Sequence, residues 1–184
     1  MQSLQDHFLI AMPSMADPNF NETVTYICKH DAEGAFGIVV NRPSDLSLGE
    51  MLGQLAIDIA DRSLAERAVM HGGPVEPERG FVLHRSDRAY EATLVAGQDI
   101  KLTSSPDVLA ALGRGMGPDP VLVALGYAGW GRGQLEAELG GNTWLTVPAS
   151  PAIIFETPVE QRWTAALGLP GVDIRRITHY AGHA

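Results

Sequence analysis

A chain of 184 residues with 45% hydrophobic and 19% charged residues can bury one hydrophobic core without disulfides or metal, which excludes a disordered class. The formal net charge is −9, and the basic residues are two lysines, Lys29 and Lys101, and scattered arginines whose longest run is Arg175-Arg176. Direct binding to nucleic acid, which depends on clustered cations neutralising phosphates, is therefore not expected. The lone cysteine, Cys28, allows no internal disulfide and no paired-cysteine metal site. The N-terminal residues lack the basic region of a secretory signal, and no apolar run is long enough to cross a bilayer. A cytoplasmic protein with no membrane partner and no cofactor is expected.

Along the chain, His7 to Met12 is a short apolar run stopped by Pro13 and predicts a buried strand. Residues 23 to 40 predict a hairpin. Val24, Tyr26 and Cys28 alternate with Thr25, Ile27 and Lys29, Asp31 to Gly34 makes the turn, and Ala35 to Val40 returns. Ser47-Leu48-Gly49-Glu50 is a capping box, followed by Met51, Leu52 and Leu55 on one apolar helical face with Leu48. A second helix is expected to start at Ser105-Pro106-Asp107, with Ser105 as its N-cap.

Short strands are expected around 68–71, 80–84, 91–95 and 99–103, and the apolar run Val121 to Leu125 reads as a central strand. Gly133 to Leu139 predicts a short helix closed by Gly140-Gly141, and 143–147 and 152–155 predict strands. A last helix is expected from a second capping box, Thr157-Pro158-Val159-Glu160, burying Val159, Trp163, Ala166 and Leu167. The sum is a single domain over 1–184, α/β in class and α+β in type. It is built on a mixed, largely antiparallel sheet with flanking helices, and the tail after about residue 170 is expected to fray.

Three segments carry a resemblance: Gly37 to Pro43 (with Asn41-Arg42-Pro43), His71-Gly72-Gly73-Pro74-Val75, and Gly126 to Glu138 (with Gly129-Trp130-Gly131). In order and spacing they resemble the bacterial AlgH/YqgE-type family, and the match takes in Leu9 to Pro13, Phe81 to His84, Asn142-Thr143-Trp144 and the Trp163 helix. The resemblance implies a compact fold whose strands curl into a barrel-like core. It implies no mechanism and brings over no catalytic residue. The family's transcriptional-regulator label came from a link to alginate production, not from a recognised DNA-binding element.

The residues themselves offer several candidate sites. Gly126 to Glu138 reads as a glycine-rich turn entering a helix, a place where backbone N–H groups can face an anion. It lacks the lysine and hydroxyl of a phosphate loop, and Glu136 and Glu138 already complement the positive helix end. The alternative is that these glycines let chain segments cross tightly beneath Trp130 and Tyr127. Arg42 could grip an anion in bidentate fashion or pair with Glu136 or Glu138. His71 is expected at a turn that brings two segments close. Cys28 and His30 share a face if the strand is regular, although Cys28 is expected to lie inert in the core. His179 and His183 are four apart, too near the chain end to define a metal site.

No set of acid, base and nucleophile emerges. The favoured expectation is a regulatory module that binds a small molecule or a protein partner, with Asn41, Arg42, His71, Trp130, Gln134 and Glu138 as ligand-binding candidates. The alternatives are an enzyme whose cleft is built from the same loops, and a DNA-binding transcriptional regulator, for which no helix-turn-helix is visible.

Overall fold

The computed structural model describes residues 2–173. His179, His183 and the Arg175-Arg176 pair lie outside the described residues. Ten strands form one largely antiparallel sheet that curls into a half-barrel, with short helices packed against it. The strands are β1 (His7–Ala11), β2 (Val24–Asp31), β3 (Gly34–Val39), β4 (Pro43–Ser47), β5 (Ala68–His71), β6 (Val75–His84), β7 (Thr93–Val95), β8 (Lys101–Thr103), β9 (Val121–Gly131) and β10 (Trp144–Pro148). They run in the order β10-β1-β2-β3-β9-β6-β8-β7, while β5 lies parallel to β9 and pairs with β4.

The β2–β3 hairpin forms as its alternation and turn predict, with one irregularity. The register jumps between Ile27 and Lys29, leaving Cys28 as an extra residue in a β-bulge. Strand β9 is the hub of the sheet, since β3, β5 and β6 all pair with it. It does not stop at Leu125. The glycine-rich stretch expected to be a turn continues as strand to Gly131, because Gly129 and Gly131 pair with Phe36 and Gly34 of β3.

The helices are α1 (Leu48–Gln54), α2 (Arg62–Ala65), α3 (Asp107–Gly113), α4 (Gln134–Gly140), α5 (Pro151–Phe155) and α6 (Arg162–Leu167). The capping box of α1 is complete, with Glu50 N–H donating to Ser47 Oγ and Ser47 N–H donating to Glu50 Oε2. Leu48, Met51 and Leu52 are buried, but Leu55 is 54% exposed because the helix ends before it.

Three other expectations are corrected. Ser105 does not cap α3; its hydroxyl accepts from Ala92 N–H and donates to the Asp107 carboxylate. Residues 152–155 are helical, started by Pro151 and burying Ile153 and Ile154 against the sheet. The second capping box does not form, because Thr157 Oγ1 donates backwards to Ala152 O and a 3-10 turn at Val159–Gln161 precedes α6.

Both faces of the sheet are covered. One cluster gathers Phe8, Ile10, Tyr26, Ile38, Phe81, Leu83 and Ile154; half-buried Trp163 packs against it and donates its indole N–H to Ala11 O. A second holds Leu48, Leu52, Val82, Val108, Leu112 and Val123 under α1 and α3. The third packs Leu9, Ile27, Trp130, Leu135 and Trp144 under α4.

Candidate functional site

The Asn-Arg-Pro segment leaves β3 and is committed to the loop between β1 and β2. Asn41 Oδ1 accepts the N–H of Val24, and its Nδ2 donates to Glu22 O. Arg42 donates through Nη1 to Pro18 O and through Nη2 to both Asn21 O and Asn21 Oδ1. The expected pairing of Arg42 with Glu136 or Glu138 does not occur. Backbone carbonyls and the Asn21 side chain take its donors, and both carboxylates have other partners.

His71 ends β5 with its side chain exposed, and its backbone N–H donates to Arg42 O at 2.7 Å, so these two candidates are neighbours. The expectation of close approach at the next two residues is met. A Cβ on Gly72 would lie 2.3 Å from Gly126 O. One on Gly73, where φ is +153°, would lie 2.1 Å from the carbonyl carbon of Tyr127. These glycines let two backbones touch, which is a structural use.

Trp130, Gln134 and Glu138 form a separate network. Gln134 Oε1 accepts from Gly131 N–H and its Nε2 donates to Glu138 Oε1, closing the turn between β9 and α4. Glu138 also receives the indole N–H groups of Trp130 and Trp144. Phe20 packs against both indoles at 6.3 and 5.5 Å between ring centroids. The loop that Arg42 and Asn41 hold thus links this network to the Asn-Arg-Pro segment through packing. The six candidates fall into two groups joined by a loop, and none of the clefts described below contains both.

The bulge separates Cys28 from His30. Cys28 points into the first cluster, fully buried, and desolvation pushes its thiol pKa far up. His30 turns the other way. Its Nδ1 accepts the N–H of Leu4 at 2.9 Å, so the ring proton sits on Nε2 and is donated to Glu136 Oε1 at 3.0 Å. The Glu136 carboxyl is held below the usual range, first by its own backbone amide and also by His30. Cys28 and His30 therefore do not form a nucleophile–base pair. Among the described residues, no three His, Cys, Asp or Glu side chains converge as a metal site.

A polar cleft of about 390 Å³ is lined by Asn41 and Arg42 together with Glu22, Glu160 and Trp163; the more apolar open space lies elsewhere. A groove of about 480 Å³ runs between α1, α3 and β6, with Met51, Val82 and Leu109 on its walls and Gln54 and Glu78 among its polar lining. A shallow depression beside it presents Phe36 and Tyr127, whose rings lie 4.8 Å apart, with Arg79 stacked over Phe81. A third cleft, of about 360 Å³, lies where α2, β5 and the start of β9 face α5 and α6. Apart from Arg67 and Arg162, the described residues that line it are apolar.

Arg162 is 7% exposed, with Nε donating to Thr157 O and Nη1 to Val40 O; burial brings its pKa down to about 10. Sequence reasoning missed it, although a signal was present. Arg162 falls three residues after Val159 and four before Ala166, on the same helical stripe as those inward-facing residues.

The AlgH-like family model matches residues 8–175. A UPF0301 protein of Xanthomonas campestris is 52% identical over 181 residues, covering 98% of this chain and 96% of the relative. A UPF0301 protein of Stenotrophomonas maltophilia is 51% identical with the same coverage. The solution structure of the AlgH protein from Pseudomonas aeruginosa is similar over 100% of both chains, at 50% identity and a TM-score of 0.79. A crystal structure of a Corynebacterium diphtheriae protein, 18% identical, shares the fold with a TM-score of 0.73 over 93% of this chain and 90% of its own.

Proposed function

The chain belongs to the AlgH-like family, and on that premise we propose that it is a one-domain regulatory binding module of the cytoplasm that recognises a small molecule or a protein partner. The observation that carries this reading is how its polar side chains are deployed. Asn41, Arg42, Gln134, Glu138, His30 and Glu136 are spent on internal hydrogen bonds that close loops. The groove beside α1 and α3 and the cleft facing α5 and α6 are instead lined mainly by apolar side chains with a few polar groups, the usual make-up of ligand sites.

Catalysis by a nucleophile needs that group within hydrogen-bond reach of a base, and Cys28 is sealed in the core away from His30. Direct reading of DNA is not part of the proposal, since a net charge of −9 with dispersed arginines opposes it.

The test is a thermal-shift screen of metabolite mixtures on the full chain, with proton NMR of each mixture before and after incubation. A ligand at about a hundred times its Kd adds about 2.7 kcal/mol of stability, enough for a clear rise in Tm. The reading expects such a rise with the mixture chemically unchanged. Turnover of any compound by the purified chain, lost on heat denaturation, rejects it.

A further inference from the structure

Arg162 carries a charge into the interior without an ion-pair partner among the described residues. Among the described residues no carboxylate lies within ion-pair distance of it, and the acidic side chain that influences it, Glu160, is exposed. Two of its donors tether α6 to Thr157 O and Val40 O, while Nη2 has no hydrogen bond to a described residue. Carbonyl dipoles satisfy donors but do not cancel a charge, so a buried guanidinium in this setting favours an anion.

Arg67, two residues past the end of α2, lines the same cleft. Its acidic neighbour, Asp61, is the N-cap of α2 and is engaged with Leu64 N–H. Among the described residues no Asp or Glu lines the cleft, although the chain as a whole is strongly acidic. Leu48, Met70, Val121, Ile154 and Phe155 make the rest of the wall apolar.

We propose that this cleft binds a small organic anion, a carboxylate or phosphate monoester with a short apolar body, whose head meets Arg162 and Arg67 and whose body lies against the apolar wall. The proposal rests on the binding-module reading and gives its ligand a chemical class. A guanidinium presents parallel N–H groups that match two oxygens of either head group, and a second cation lining the same cleft raises the preference for an anion. The volume of about 360 Å³ suits a ligand of a few carbons.

The experiment titrates the full chain with hexanoate, hexyl phosphate and hexanol, read by calorimetry and by NMR shifts at residues of the cleft. The variants are Arg67→Gln and Ala68→Asp, both at exposed positions, so that folding is kept; Arg162→Lys is a third, checked for an unchanged Tm before use. At least one of the two anions is expected to bind saturably, about tenfold tighter than hexanol, and to lose about tenfold in each of the first two variants. Which head group wins separates a carboxylate ligand from a phosphate one. Anions binding no tighter than hexanol, or binding undiminished to both Arg67→Gln and Ala68→Asp, overturn the proposal. Ligands from the metabolite screen whose binding ignores both variants leave the binding-module reading standing and refute this site. Turnover of a bound anion rejects the binding-module reading, while sensitivity to both variants still upholds the anion cleft.

Discussion

Trp130 and Trp144 donate their indole N–H groups to one oxygen atom, Glu138 Oε2, at 2.9 and 2.8 Å. Both indoles are nearly buried, at 6% and 1% exposed, so a single carboxylate on α4 satisfies two interior donors that come from different strands. This explains why α4, only seven residues long, sits firmly on the sheet.

Glu138→Ala should therefore destabilise the fold by roughly 1–3 kcal/mol for each indole left without an acceptor. Glu138→Gln keeps an acceptor oxygen and should cost less. Urea unfolding followed by tryptophan fluorescence measures both, and equal stability of Glu138→Ala and wild type would show the clamp to be idle.

Asn41 and Arg42 hold the same loop, but their losses should differ. Asn41→Ala orphans the N–H of Val24, which is buried, and should cost about 1–3 kcal/mol. Arg42→Ala frees the carbonyls of Pro18 and Asn21 on an exposed loop, where water replaces the bonds, and should cost about 1 kcal/mol or less. Hydrogen exchange across residues 13–23 should quicken in both. A larger loss in Arg42→Ala than in Asn41→Ala would reverse this ranking.

His84 links stability to pH. Burial, and then the charge of Lys101, lower its pKa from 6.5 to about 4. In the unfolded chain the ring takes a proton near pH 6.5, whereas in the folded protein it does so only near pH 4. The neutral ring thus contributes stability that is complete above pH 6.5 and is lost as the pH falls through this window. Wild type should lose stability relative to His84→Phe between these values, and a difference that stays flat from pH 7 to pH 4 would contradict the assignment. Carboxylates titrating in the same range are common to both proteins and cancel.

Cys28 should react with a thiol reagent only when the protein opens. Its thiol is fully buried and its pKa is pushed up by desolvation, so the thiolate is absent from the native state at neutral pH. The labelling rate should rise with urea in step with unfolding. Fast modification without urea would mean that β2 opens locally.

Features fixed by short-range chemistry were legible in the sequence. The Ser47–Glu50 box and the hairpin at Asp31–Gly34 depend only on residues a few positions apart. What misled lay in tertiary pairing. Gly126 to Gly131 looks like a turn until β3 is placed beside it, and Ile153-Ile154 looks like a strand until Pro151 begins a helix against the core. The bulge at Cys28 cannot be seen in an alternation that is regular on paper, yet it sends His30 to the opposite face. Of the candidate site, the Asn-Arg-Pro and tryptophan segments were visible as motifs, but their roles as loop fasteners depend on partners distant in sequence. The Arg67–Arg162 cleft was hidden because an arginine on a helix is ordinarily read as solvated.

The position of β9 has a consequence for synthesis. Gly37 of β3 must wait for Ala128, and Phe81 of β6 must wait for Ala124, before either edge is covered. While the chain emerges, the β2–β3 hairpin and β6 carry unpaired backbone groups beside apolar side chains, the condition under which strands join the wrong neighbours. A chain released before residue 121 should therefore aggregate rather than wait folded. Once β9 arrives it joins three strands, and β10 then closes on β1, so folding should be slow for a protein of this size because its pairings span most of the sequence.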